Sequence, residues 1–176
     1  MTQLIITAVG PDRPGIVGEI TTLLHHGGAN ILDTRMVNLR GQFSIIVLIE
    51  VEDTQAAGLT RSLPSQAPAL GLQLNITPQS EPQPRAPGLA YRLKTYSGDQ
   101  PGIVARLTNL LRSFGINIEE LAAWQESAAF AGSPIFLCEI KMTVPQTVAI
   151  SALRSEINKL CNELNCDVDL DPVVGA

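Results

Sequence analysis

Asp12 and Arg13, with the glycine and prolines around them, form the stretch of this chain best suited to hold a small charged molecule. Gly10-Pro11-Asp12-Arg13-Pro14-Gly15-Ile16-Val17 follows an apolar strand pattern, Leu4 to Val9, and opens a helical one. Proline 14 suits the first helical position, where a missing N–H costs nothing. Asp12 stands where a side-chain oxygen can accept from first-turn N–H groups, and Gly15 lets another group come close to the backbone. The N–H groups of Gly15, Ile16 and Val17 and the positive end of the helix dipole then face an open spot that suits a carboxylate. The same residues serve equally well as a plain strand-to-helix joint with no ligand.

The chain writes this stretch twice. Ser97-Gly98-Asp99-Gln100-Pro101-Gly102-Ile103-Val104 lies 87 positions later, and from position 12 to 31 eleven of twenty residues are identical at that offset. Thr21, Leu23 and Leu24 fall on Thr108, Leu110 and Leu111, and Gly28, Asn30 and Ile31 on Gly115, Asn117 and Ile118. Chance does not supply that agreement, so the chain is an internal duplication. An amino-acid zwitterion needs donors for its carboxylate and acceptors for its ammonium. Asp12 and Asn30 can offer the acceptors if the second strand begins near the turn, and Asp99 and Asn117 repeat them. Position 100 is Gln where position 13 is Arg, so the two sites need not bind alike. Asn30 and Asn117 are also ordinary turn residues after glycine.

Composition removes several other chemistries. The 176 residues carry a net charge of −5 with 45% apolar content, which indicates a globular chain with room for two small domains. Lys and Arg are scattered, and neither a helix-turn-helix nor a basic stripe is visible, so direct nucleic-acid binding is not expected. No signal peptide opens the chain and no apolar run is long enough to span a bilayer, which points to a cytoplasmic protein without membrane contact. Cys138, Cys161 and Cys166 are an odd set without a C-x-x-C pair, so reduced thiols are expected, Cys138 in a core. His25 and His26 are adjacent at a helix end and cannot clamp one ion alone, so neither metal nor cofactor is expected. No nucleophile–base arrangement appears, and Glu119 and Glu120, adjacent on a strand, should face opposite ways. An enzyme is not expected.

The elements that must position these residues can be read in order. Strands are expected at Leu4 to Val9, from Asn30 to about Arg40, at Phe43 to Val51 and at Leu70 to Thr77. Helices are expected from Pro14 to about His26, with Ile16, Val17, Ile20, Leu23 and Leu24 in one stripe, and from Asp53-Thr54 to Leu63, stopped by Pro64. Gly41-Gln42 closes a hairpin. The proline-rich residues 78–89 read as an extended connector between domains 1–77 and 90–176, open to proteolytic nicking. The second copy repeats the order with strands at Tyr91 to Tyr96, Asn117 to Gln125, Pro134 to Val144 and Asp167 to Leu170. Its helices run from Pro101 to Phe114 and from Pro145 to about Leu164, with a small-residue loop at 126–133. Each half is thus a βαββαβ, ferredoxin-like unit, and the class is α+β with four-stranded antiparallel sheets bearing helices on one face. The other face is left to solvent, to the sister copy or to a second chain in a homo-oligomer, and the non-alternating run Ser44 to Ile49 favours coverage.

Asp12-Arg13-Pro14-Gly15-Ile16-Val17, the helix after it and Gly28-Ala29-Asn30-Ile31 resemble the opening of an ACT domain. Two such copies without a catalytic domain resemble the glycine cleavage system transcriptional repressor family, as does Gly132-Ser133-Pro134-Ile135-Phe136 after its loop. The resemblance implies an amino-acid sensor without chemistry of its own, with glycine or serine as effector. It also implies action through contact with a transcriptional activator protein. Similar openings occur in the ACT modules of formyltetrahydrofolate deformylases. A protein-interaction scaffold of the same fold with vestigial sites is the alternative. The ligand positions implied are Asp12, Arg13, Pro14, Gly15, Ile16, Val17, Asn30 and Ile31 in the first copy. Asp99, Gln100, Pro101, Gly102, Ile103, Val104, Asn117 and Ile118 match them in the second.

Overall fold

Alternating burial along the first strand shows how each half is built. In the computed structural model, which describes residues 1–80, 86–127 and 134–173, Leu4, Ile6 and Ala8 are buried while the residues between them are not. That period of two puts one side of the strand in a core and leaves the other open. The chain divides into two units, residues 1–83 and 84–176, each with its own core.

The first unit runs β1 (Thr2–Pro11), α1 (Ile16–His26), β2 (Asn30–Leu39), β3 (Gln42–Val51), α2 (Asp53–Gln66), a single 3-10 turn (Ala67–Leu70) and β4 (Gln73–Pro78). The second runs β5 (Gly88–Gly98), α3 (Ile103–Ser113), β6 (Asn117–Ser127), β7 (Pro134–Pro145), α4 (Ile150–Glu163) and β8 (Cys166–Pro172). The sheets have the orders β2-β3-β1-β4 and β6-β7-β5-β8, with every pairing antiparallel. This is the α+β ferredoxin-like arrangement that the element order implied. No helix of the described residues is long and apolar enough to cross a membrane.

Several boundaries differ from the sequence reading for identifiable reasons. Pro64 lies inside α2, because a proline in a last turn loses one backbone bond while its fixed φ remains helical. Pro145 ends β7 opposite Gly88, and α4 starts only at Ile150 after a turn closed by the Val148 N–H on the Pro145 carbonyl. Asp53 does not cap α2; its carboxylate accepts from Thr2 Oγ1 at 2.6 Å and from the chain's amino group. Those bonds hold the Asp53 carboxyl below the usual carboxylate range, the Thr2 hydroxyl contributing most. Pro78 pairs with Leu4 on the edge strand β4, where no ladder N–H is needed, and Gly88-Leu89 opens β5. The connector is therefore shorter at both ends than 78–89, and its residues 81–85 lie outside the described ones, as do 128–133 of the second hairpin loop and 174–176.

The helix-free sides of the two sheets differ sharply. On the first, Ile5, Val9, Val37, Leu39, Ile46 and Leu48 share one face by register. On the second, the register puts Arg92, Lys94, Glu120, Glu139 and Lys141 on that face, with Glu139 3.2 Å from Arg92 and 3.6 Å from Lys94.

Candidate functional site

The repeated motif folds into the same turn in both units. Gly15 has φ 88° and ψ −12°, Gly102 has φ 94° and ψ −1°, and the Ile16 N–H reaches back to the Arg13 carbonyl at 3.4 Å. Arg13-Pro14-Gly15-Ile16 is a type II turn, which demands φ > 0 at its third residue and favours proline at its second. Pro14 and Pro101 therefore stand in turns ahead of their helices rather than as the first helical residues. The helices begin at Ile16 and Ile103, with Glu19 N–H on Gly15 O at 3.0 Å and Arg106 N–H on Gly102 O at 2.9 Å. Of the donors expected, the Ile16 N–H is taken by the turn, and the Val17 N–H remains beyond any intrahelical acceptor. The Ile16 and Ile103 side chains are buried in the cores, so only their backbones can meet a ligand.

Asp12 is tied to the hairpin instead of capping the helix. Its carboxylate accepts from Asn38 Nδ2, and its N–H donates to the Gly41 carbonyl at 2.8 Å. Asp99 does the same with Gln125 Nε2 at 2.7 Å. Asn38 and Gln125 were not singled out from the sequence, although the same offset of 87 that links the two motifs also links them. Their signal was present, but it lay outside the matching window.

Asn30 and Ile31 are at the wrong end. The register places Asn30 opposite Glu50, whereas Asn38 is opposite Phe43, which pairs with Gly10. At about 3.3 Å per residue, Asn30 is roughly 25 Å along β2 from the Asp12 turn. Asn117 and Ile118 stand equally far from Asp99, for Asn117 pairs with Thr143 and Gln125 with Phe136. Within one unit neither asparagine can share a small ligand with its aspartate. The helix carries the chain back along the sheet, so β2 starts where β1 started.

The two turns differ in charge. Arg13 is clamped by Glu19 through two hydrogen bonds, of 2.7 Å and 2.6 Å, which push the arginine pKa up and the Glu19 carboxyl below its usual range. The first helix thus has a carboxylate of its own chain in its first turn. In the second unit Gln100 donates to the Leu164 carbonyl, and Arg106 stands in the place of Glu19, paired with Glu163 at 2.5 Å.

The remaining candidates resolve simply. Among the described residues no group of three or more His, Cys, Asp and Glu is placed to hold a metal. All three cysteines are free and buried, and burial raises each thiol pKa, that of Cys161 to about 12. His25 and His26 lie in the last turn of α1. Glu119 and Glu120 do not face opposite ways. A bulge between Ile118 and Glu120 breaks the alternation, and they accept from Thr143 and Lys141, both at 2.6 Å and both on one side of β7.

Comparison with known proteins fits this geometry. The ACT-domain family model matches residues 2–77. A UPF0237 protein of Methanococcus maripaludis is 32% identical over 78 residues, covering 43% of this chain and 87% of that protein. The chain belongs to the ACT-domain family. Over its whole length the ACT chain is similar to the glycine cleavage system transcriptional repressor of Escherichia coli, 28% identical over 171 residues, 97% of this chain and 90% of that one. A crystal structure of a protein of unknown function from Galdieria sulphuraria superposes with a TM-score of 0.79 and 27% identity, covering 98% of this chain and 99% of that one. The second half carries the same strand order as the first.

Proposed function

We propose that this ACT protein is a regulatory amino-acid sensor that modulates transcription of glycine cleavage genes through contact with another protein. The observation that carries the reading is the duplicated turn. Each copy spends a left-handed glycine and a proline to open a helix N-terminus beside an aspartate held by a hairpin amide, on two units of one family. The similarity to the Escherichia coli repressor along 97% of the chain supports the transcriptional role. A net charge of −5 argues for an output surface read by a protein, such as a transcriptional activator, rather than by DNA.

Glycine or serine is the expected effector, with dissociation constants between about 10 μM and 1 mM, or roughly 4 to 7 kcal/mol. Titration calorimetry of the whole chain with the twenty amino acids tests this. Asp12→Ala and Asp99→Ala should weaken the binding without unfolding either unit. No heat with any amino acid up to several millimolar would overturn the sensor. The purified chain alone should give no band shift with promoter DNA at physiological salt. An effect is expected once the activator is added, and the amino acid should change it.

A further inference from the structure

The edge strand β2 is exposed at all ten of its residues, Asn30–Leu39. Its apolar side chains lie on both sides of the sheet, with Ile31 36%, Leu32 43%, Met36 47% and Val37 49% exposed. A long edge of that kind is a template for pairing with another strand. The open backbone is plainest at Thr34. Its N–H donates to Asp33 Oδ1 at 2.7 Å and its carbonyl accepts from Arg35 Nη1 at 2.8 Å, so side chains stand in for a neighbouring strand.

The chemistry along β2 is matched in both directions from Thr34. Asp33 and Arg35 flank it with opposite charges, and the apolar Leu32 and Met36 come next. A two-fold contact requires such a pattern, because residue i meets j wherever j meets i. Two antiparallel β2 strands with Thr34 on the axis place Asp33 opposite Arg35 of the second molecule, and Arg35 opposite its Asp33. The bulge between Ile31 and Asp33 sets two residues against one, so Ile31 and Leu32 together meet Met36. The two Thr34 residues exchange the pair of backbone bonds that Asp33 and Arg35 supply in the lone chain. Asp33 and Arg35, paired with each other in the lone chain, are then free to pair across the axis.

The other three edges of the described sheets lack this property. β6, the counterpart of β2, carries Glu119, Glu120 and Glu126 and no cation, so two such strands would repel each other. β8 places Asp167, Asp169 and Asp171 along one face by its period of two. β4 is six residues long, ends in Pro78 and packs Leu74 and Ile76 against the core. Like charges and proline protect exposed edges from pairing. Asp33 and Arg35 do the opposite, since opposite charges two residues apart attract the same strand reversed.

We propose that this chain forms a two-fold dimer through β2, which joins two first units into one continuous antiparallel sheet. The occupant of the edge is a second molecule of this chain, selected by charge at Asp33 and Arg35. Burial of Ile31, Leu32 and Met36 supplies the apolar part of the contact. The interface stands whether or not the Asp12 and Asp99 turns bind an amino acid.

Sedimentation of the full chain tests it by exchanging charges. At about 100 μM, a concentration that populates even small interfaces, the wild type should sediment as a dimer of the 18.8 kDa chain. Arg35→Asp should weaken the dimer at least about tenfold, because Asp33 then meets a carboxylate across the axis. Asp33→Arg should do the same with two cations. An equimolar mixture of the two variants should regain a dimer, since every pair across the axis is then one arginine and one carboxylate. A purely local role for Asp33 and Arg35 predicts no such rescue. Both positions are exposed, and a circular-dichroism spectrum like that of the wild type establishes that each variant is folded. Thr34→Cys gives the second readout. Residues opposed in a hydrogen-bonded pair lie about 5.5 Å apart at Cα, within disulfide reach, so air oxidation should link two chains. Leu121→Cys, at the matching place on β6, should not link. A wild type that stays monomeric, a dimer indifferent to Arg35→Asp, or folded variants that stay monomeric when mixed would overturn the proposal. So would Thr34→Cys chains that link no faster than Leu121→Cys chains. A dimer lost in Ile46→Lys but kept in Arg35→Asp would put the contact on the helix-free face and equally end the claim.

Discussion

The two units share a turn and part company in what surrounds it. Gly15 and Gly102 differ by only 6° in φ, both followed by a helix beginning one residue later. Yet Ala8 and Gly10 in the first unit become Thr95 and Ser97 in the second, Glu19 becomes Arg106, and Ile5 becomes Arg92. The first unit closes its strand end with backbone and carries Ile5, Val9, Val37, Ile46 and Leu48 on its helix-free sheet face. The second leaves a polar groove and covers its face with ion pairs. Duplication kept the backbone geometry, which only glycine and proline could supply, and released the side chains that give each unit its own surface chemistry.

Four tests would break or sharpen that contrast. The largest effect should come from Gly10→Ser, because its Cβ meets backbone that cannot swing away, at a cost of about 3 kcal/mol by overpacking. The reciprocal Ser97→Gly has no such clash and should cost under about 1 kcal/mol, mostly strand entropy. Denaturant unfolding that shows the two equal would end the claim that the first unit is closed and the second open. Next, Gly15→Ala and Gly102→Ala should each lose about 1 to 2 kcal/mol through left-handed strain. Unequal losses would mean that the turns are less alike than their dihedrals.

A smaller gain is expected from Thr95→Val. Thr95 is 1% exposed with no partner for Oγ1 among the described residues, so an isosteric apolar side chain should stabilise the second unit by about 1 kcal/mol. A loss of stability would show that the hydroxyl is satisfied in solution. The last contrast shows only in alkali. Burial raises the Cys161 pKa from 9.0 to about 12, so the native state holds a proton that the unfolded chain releases. Its contribution is complete below pH 9 and fades as pH rises from 9 toward 12. The second unit should weaken across that window, and Cys161→Ala should flatten the slope. The first unit has no cysteine and should show no such component.

Much of the fold could be read directly from residue order. The repeat, the eight strands and four helices, the hairpin at Gly41 and the alternation of Leu72, Leu74 and Ile76 all rest on local spacing, which survives without knowledge of neighbours. The turn motif was equally visible, but its mechanics were misassigned. Pro14-Gly15 fits both a helix start and a type II turn, and only the left-handed φ of Gly15 separates them. Asn30 was assigned to the wrong end because a strand's starting point depends on the helix that precedes it. Glu119 and Glu120 were assigned to opposite faces because a bulge changes which residues share a face.

Sequence alone determined that this chain is a duplication of one βαββαβ unit, since identity at a fixed offset and the periods of strands and helices are properties of the chain itself. Only the tertiary structure decided which residues meet. Asn38 with Asp12, Gln125 with Asp99, Gln100 with Leu164 and Ser97 with the α4 terminus are separated by 26 residues or more. Contacts of that kind depend on register, on where helices end and on how closely two backbones approach, and no local pattern encodes them.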